Sequence, residues 1–418
     1  MLNKLKPKSE FTKNVLTLMT GTTIAQAIPI AISPILTRIY TPEDFGLFAL
    51  FIAITSVFGS IATGRYELAI MLPKKDENAI NILALGLIIT ATLSLILLII
   101  IICFNDYLIL LFSNKEIGYW LYFLPLTVFF IGFFNVLSYF NNRKKYYKDI
   151  ASATIIKSVI LTIVQLIIGW FKGGVSGLIY GEILSRMFAN AKLLKNITKD
   201  KLLVSQISKV KIFALAKKYK DFPKFSMLAI FANTLSSNLI NIFISSFYSV
   251  VTLGFYSLSE RIMGAPISLI GKSISQVYYQ QASQEYKELG SIQKTFFFTA
   301  KKLFIIGSII FGSLFFIIED LFVFVFGKDW MLAGFYSKIL IFLYFCRFVV
   351  SPLTVTPMIF NRTKIDLIFQ ILMLFLILIL AVIGIFLELN IENFLYIFSF
   401  FYGIYYLMYF LYLKMLVR

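Results

Sequence analysis

The chain has 418 residues, 59% of them hydrophobic and only 14% charged, with a mean hydropathy of +0.85. A soluble domain of that composition could not cover its apolar surface, so a soluble enzyme is excluded and a membrane protein is implied. Histidine is absent and only Cys103 and Cys346 occur, which removes the commonest general base and metal ligand and leaves no disulfide framework.

Met1 to Lys13 is basic and polar, and the apolar run from Val15 is long enough to span without a small-residue cleavage site. The first segment is therefore expected to stay in the protein. Hydropathy and charge breaks place twelve spans near 14–37, 43–64, 79–104, 117–140, 150–170, 174–195, 225–245, 250–271, 297–317, 331–359, 366–387 and 393–413. Each approaches or exceeds the roughly 20 apolar residues that cross a bilayer. Before the second span, Thr41 is an N-cap, Pro42 fits the first helical position, and Glu43 with Asp44 favours the positive end of the helix dipole.

The odd-numbered connections carry only Arg38, Lys115, Lys172 and Lys328, whereas the even ones and the two tails hold most other basic residues. The positive-inside rule then puts both termini in the cytoplasm. It also explains the net charge of +18 by topology, with no nucleic-acid partner.

The longest connection, 196–224, is lysine-rich and spaces Leu203, Ile207, Val210 and Phe213 as one face of an amphipathic helix on the inner membrane surface. It separates a six-helix lobe at 1–196 from another at 225–418, with 197–224 as the linker. The lobes look like a parallel repeat. Tyr40 and Gly46 recur 208 positions later as Tyr248 and Gly254, each pair joining the first and second helices of its half.

Charges inside spans are few and costly, so they face a bundle interior or a water-filled cavity. Five are basic, Lys157, Arg186, Arg261, Lys338 and Arg347, against the acidic Glu182 and Glu260. Glu182 and Arg186 are four apart and can pair on one helix face. Glu260 and Arg261 are adjacent and point apart, which favours Arg261 as cavity-lining. Lys157 and Lys338 lie nearer an interface, where a long side chain reaches water. Arg65 and Lys272 add charge at the cytoplasmic ends of the second and eighth spans. The basic excess points to an anionic substrate such as a phosphate. Asn233, Asn238 and Asn241 in the seventh span are candidates for polar contacts, either to a substrate or between packed helices, and Pro352 with Pro357 in the tenth span are hinge candidates. No metal or cofactor is called for.

The stretch Ser33-Pro34-Ile-Leu-Thr-Arg38-Ile-Tyr40-Thr-Pro42-Glu-Asp44-Phe-Gly46, continued by Arg65-Tyr-Glu67-Leu-Ala-Ile-Met-Leu-Pro73 and by Asn142-Arg143-Lys-Lys-Tyr-Tyr-Lys148, resembles the bacterial O-antigen and polysaccharide flippases. These belong to the multidrug/oligosaccharidyl-lipid/polysaccharide exporter superfamily. Gly254-Phe-Tyr256, Pro266 and Ser275-Gln-Val-Tyr278 extend the resemblance. It implies an all-α polytopic membrane protein of about twelve helices in two lobes, a V-shaped alternating-access transporter. By the same resemblance it would flip undecaprenyl-diphosphate-linked oligosaccharide across the bacterial inner membrane through a cationic cavity, beside membrane lipids, a polysaccharide polymerase and chain-length proteins. Two rivals remain: a multidrug antiporter of the same superfamily, and a membrane polymerase or glycosyltransferase. The second is disfavoured by short outer connections and by the lack of an Asp-x-Asp pattern or a Gly-rich phosphate loop.

Overall fold

In the computed structural model, residues 10–360 and 362–417 are described, and among them the regular elements are all helical. Helix α1 (Glu10–Ile39) is followed after two residues by α2 (Pro42–Ile61). The turn between them is a reciprocal cap: the Thr41 amide donates to Asp44 Oδ2 at 2.9 Å and the Asp44 amide to Thr41 Oγ1 at 3.2 Å. Next come α3 (Asp76–Phe112), α4 (Leu124–Arg143), α5 (Tyr147–Trp170) and α6 (Val175–Thr198). The linker helix α7 (Lys209–Lys218) leads into α8 (Met227–Phe243), α9 (Val250–Pro266), α10 (Lys272–Leu289), α11 (Gln293–Phe326), α12 (Met331–Val350), α13 (Thr363–Phe386) and α14 (Ile391–Val417).

Helices occupy all twelve expected places, and among the described residues ten segments are long and apolar enough to cross a membrane. Helices α6 and α9 are not among the ten. They carry Glu182 with Arg186 and Glu260 with Arg261, so the charges that mark a site also dilute the hydropathy that marks a span. Two boundaries move. Helix α3 runs to Phe112, past a non-helical residue at Phe104 (φ −124°, ψ 18°), and α11 runs to Phe326 rather than ending near 317.

The chain divides into two compact units, Met1–Ile32 with Leu50–Thr234, and Ser33–Ala49 with Leu235–Arg418. In the first, α3, α4 and α6 build a core around Leu83, Val136, Phe140, Ala189 and Leu193. The linker belongs to this unit. Asn81, fully buried on α3, donates to the Gln206 carbonyl at 3.0 Å and accepts from the Ser208 amide at 2.8 Å. Leu215 packs into the core, and Lys211 pairs with Glu77.

The amphipathic face expected on the linker is not the one that forms. The helix breaks between Lys201–Val204 and α7, so the four apolar positions lose a common register. Leu203 is buried, whereas Val210 and Phe213 are 78% and 76% exposed.

In the second unit α12 is the central helix, buried on several sides through Ala333, Tyr336, Leu340, Tyr344 and Phe348. Helix α9 is stitched to it by the Ser259 hydroxyl, which donates to the Ala333 carbonyl at 2.6 Å. The repeated Tyr-x5-Gly segments meet each other here. A Cβ built on Gly46 would stand 1.8 Å from the Val250 carbonyl oxygen, and one on Gly254 1.8 Å from that of Pro42. The starts of α2 and α9 thus cross with backbone against backbone, which only glycine allows. Trp330, almost fully buried, closes the same corner by donating from Nε1 to the Thr37 carbonyl at 3.0 Å.

Candidate functional site

Each unit holds one cluster of embedded charge. In the first, Arg186 and Glu182 pair one turn apart on α6, with Arg186 Nε 2.6 Å from Glu182 Oε1. Lys157 on α5 comes within 3.7 Å of the same oxygen. Lys157 therefore does not reach outward to water as its position suggested. It turns inward because Glu182, with a side chain only 6% exposed, offers a buried carboxylate that must be compensated. Both cations share one anion, and the cluster keeps a residual positive charge.

In the second unit, Glu260, Lys272 and Arg347 line one pocket of about 360 Å³ with Ser268, Ser275 and Ser351. Local sequence explains its shape. Pro266 ends the regular hydrogen bonding of α9, and a π-helical turn (Ile267–Gly271) carries the chain into α10, so the segment widens where it lines the pocket. Across from it, α12 gives way to a 3₁₀ turn (Ser351–Leu353) that contains Pro352, followed by the short helix Thr356–Ile359 with Pro357 in its first turn. Both hinge candidates sit where the tenth span is interrupted, and Pro352 is in the pocket wall.

Glu260 and Arg347 share this space, and no salt bridge within 4.0 Å joins them among the described residues. Arg347 lies against Tyr344, its guanidinium 5.9 Å from the ring centre, and beside Tyr256 and Tyr406. These buried aromatic rings orient the guanidinium and screen it on one side, leaving its partly exposed edge for the pocket. The arrangement offers two cations, three hydroxyls and one carboxylate to a polar solute.

Other candidates stand elsewhere. Arg261 is partly exposed on α9 but is not in the pocket wall. Asn233 falls in the first unit, and Asn238 and Asn241 in the second. Lys338 pairs with Glu319 at 2.8 Å, because the extended α11 brings that carboxylate beside it. This corrects the embedded balance to Lys157, Arg186, Arg261 and Arg347 against Glu182 and Glu260. Arg65 adopts a left-handed backbone (φ 64°) and its Nη1 lies 3.0 Å from Glu67, which also accepts from Thr63. Next to it, the buried Tyr66 donates to the Ala216 carbonyl at 3.0 Å, and burial pushes its phenol above the ordinary value. Arg143 and Lys144 both bind Asp76, at 2.8 and 2.5 Å. The two basic motifs that follow the second and fourth spans are thus engaged in holding turns together.

The sequence reading missed Tyr256, Tyr344 and Tyr406 as neighbours of the embedded charge. A signal existed for α14: Tyr402, Tyr405, Tyr406, Tyr409 and Tyr412 recur at helical spacing in a span, which is costly unless the hydroxyls face polar groups.

Long apolar helices with a few charges embedded among them make a polytopic all-helical fold, and solved structures share it. An inward-facing multidrug resistance MATE family transporter of the MOP superfamily has 15% identity and a TM-score of 0.69, over 96% of this chain and 94% of its own. A mutant Vibrio cholerae MATE transporter has 12% identity and a TM-score of 0.60 over 97% and 96%. A MOP superfamily transporter from Pyrococcus furiosus, described as having a binding pocket of reverse polarity that suggests a different function, has 15% identity and a TM-score of 0.52 over 97% and 95%. The chain shares its fold with these transporters. No curated protein matches the chain by sequence. The family model for polysaccharide biosynthesis proteins matches residues 35–333, and the chain belongs to that family.

Proposed function

We propose that the protein moves a lipid-linked oligosaccharide, carried on undecaprenyl diphosphate, from the cytoplasmic to the outer leaflet of a bacterial inner membrane by alternating access, with both termini in the cytoplasm. The observation that carries this reading is the pocket that gathers Arg347 and Lys272 with three serines in a chain of a polysaccharide biosynthesis family. Two cations answer the charge of a diphosphate, and Arg347 supplies a planar fork suited to its oxygens. The hydroxyls hydrogen-bond oxygens of the phosphate or the first sugar, while the prenyl chain stays in the bilayer. The first-unit cluster has less to offer directly, since Glu182 occupies both of its cations. The protein would work beside the polymerase and chain-length proteins that receive such units.

The test is translocation of labelled lipid-linked oligosaccharide into the outer leaflet of proteoliposomes. Arg347→Ala and Lys272→Ala are each expected to lower the rate at least tenfold with insertion intact; wild-type rates in both would overturn the reading. Glu260 in the same pocket supports a second one, export of organic cations, because a carboxylate in a low-dielectric site attracts them. Efflux of a cationic dye that is abolished in Glu260→Gln and unaffected by lipid-linked sugar would favour it.

A further inference from the structure

A second cavity lies on a different side of α12. It is an apolar groove of about 410 Å³ whose floor is Phe345, Cys346 and Val349 on α12. One wall is α11, with Phe297, Ala300 and Phe304, and the other is α14, with Leu407 and Phe410. Lys301 from α11 and Lys414 from α14 also line it. Neither lysine forms a salt bridge among the described residues, unlike Lys338 on α12, which has Glu319 on α11.

The depth of the lysines fits a headgroup. Helix α11 has 34 residues, or roughly 50 Å at 1.5 Å per residue, well beyond the ~30 Å hydrocarbon core. Lys301 is therefore about 12 Å from the helix start, near the level where hydrocarbon gives way to headgroups, and Lys414 lies in the last turn of α14. Of the wall residues, Phe304 and Leu407 are exposed on their helices. They open the groove toward the surrounding bilayer.

We propose that this groove is a binding site for an anionic phospholipid, with the phosphate between Lys301 and Lys414 and one acyl chain lying along α12. A basic pair at the headgroup level above an apolar cleft between spanning helices has the chemistry of such sites, and the volume falls within the roughly 300–1,000 Å³ of ordinary ligand pockets. A phospholipid suits it better than the transported substrate, because the groove is separate from the pocket lined by Glu260 and Arg347 and faces the lipid present in greatest excess. Occupancy also bears on transport. Cys346 is in the groove floor and Arg347, the next residue, is in the polar pocket, so a chain packed on one side of α12 fixes the side that presents the guanidinium.

The test is native mass spectrometry of the full-length protein in detergent with phosphatidylglycerol or phosphatidylcholine of matched chains. Retention of phosphatidylglycerol should be at least tenfold the greater. Lys301→Gln with Lys414→Gln should erase that preference, whereas Lys302→Gln, whose ammonium sits over the Phe298 ring at 4.2 Å outside the groove, should keep it. Ala300→Trp, which fills the groove, should reduce retention of both lipids. Equal retention of the two lipids by the unaltered protein, or an undiminished preference in the double lysine variant, would overturn the proposal. So would displacement of phosphatidylglycerol by equimolar undecaprenyl phosphate, which would make the groove a site for the substrate's tail. Because retention is read without transport, its failure leaves the translocation reading standing, and the converse holds.

Discussion

Gly254→Ala offers the sharpest test of how the second unit is assembled. The added Cβ would lie 1.8 Å from the Pro42 carbonyl oxygen and 2.7 Å from its carbon, distances that must grow to at least 3.0 Å. The obstructing atoms are backbone, so no rotamer change relieves them. Overpacking of a tight interior costs roughly 1–3 kcal/mol, and the absence of a flexible neighbour puts this site near the upper end. About 3 kcal/mol is a shift of roughly 150-fold in the folded ratio. Gly46→Ala meets the Val250 carbonyl at the same 1.8 Å and should cost as much. Once either substitution has spread the crossing, the second has less to displace, so the double variant should lose clearly less than the sum of the singles. Gly312→Ala is the control: nothing lies within 4 Å of its Cβ, and replacing a helical glycine should be neutral or stabilise by up to about 1 kcal/mol. Reversible unfolding in mixed detergent micelles measures all four. Unfolding of Gly254→Ala that coincides with that of Gly312→Ala would refute the crossing.

Two more expectations follow from buried polar contacts. Glu182→Ala strips the partner from Lys157 and Arg186 and should cost on the order of 3 kcal/mol, read as a lower melting temperature; adding Lys157→Met should recover part of the loss. Asn81→Ala removes both hydrogen bonds that hold the 206–208 segment and should accelerate proteolysis between Ser205 and Lys211 severalfold, with the rest of the chain protected as before.

Hydropathy made the spans legible because a bilayer imposes one simple rule on every helix that crosses it. The same rule gave no account of what the charged residues touch. Glu182 and Arg186 were readable as a pair since both lie on α6, but Lys157 reaches them from α5. Lys338 reaches Glu319 from the next helix, across a boundary that the sequence put too early. The linker face was misjudged for a related reason. Its register is broken at Ser205–Ser208, and that break is held by Asn81, a residue 127 positions before Ser208. The repeat at Gly46 and Gly254 carried more than was taken from it: two copies of one turn marked a kinship, and in the folded chain they are also each other's contact.

The way the linker is held decides where this chain tolerates a cut. A split protein produced as two fragments and joined in the membrane would be damaged by a break at 196 or anywhere through Lys211, since Asn81 and Glu77 would lose what they bind. Beyond Leu215 and Ala216, whose carbonyl receives the Tyr66 hydroxyl, Tyr219 and Phe222 still pack against the same core. The exposed Lys220 and Asp221 between them, before the π-helical turn at Phe222–Ser226, are where new ends belong.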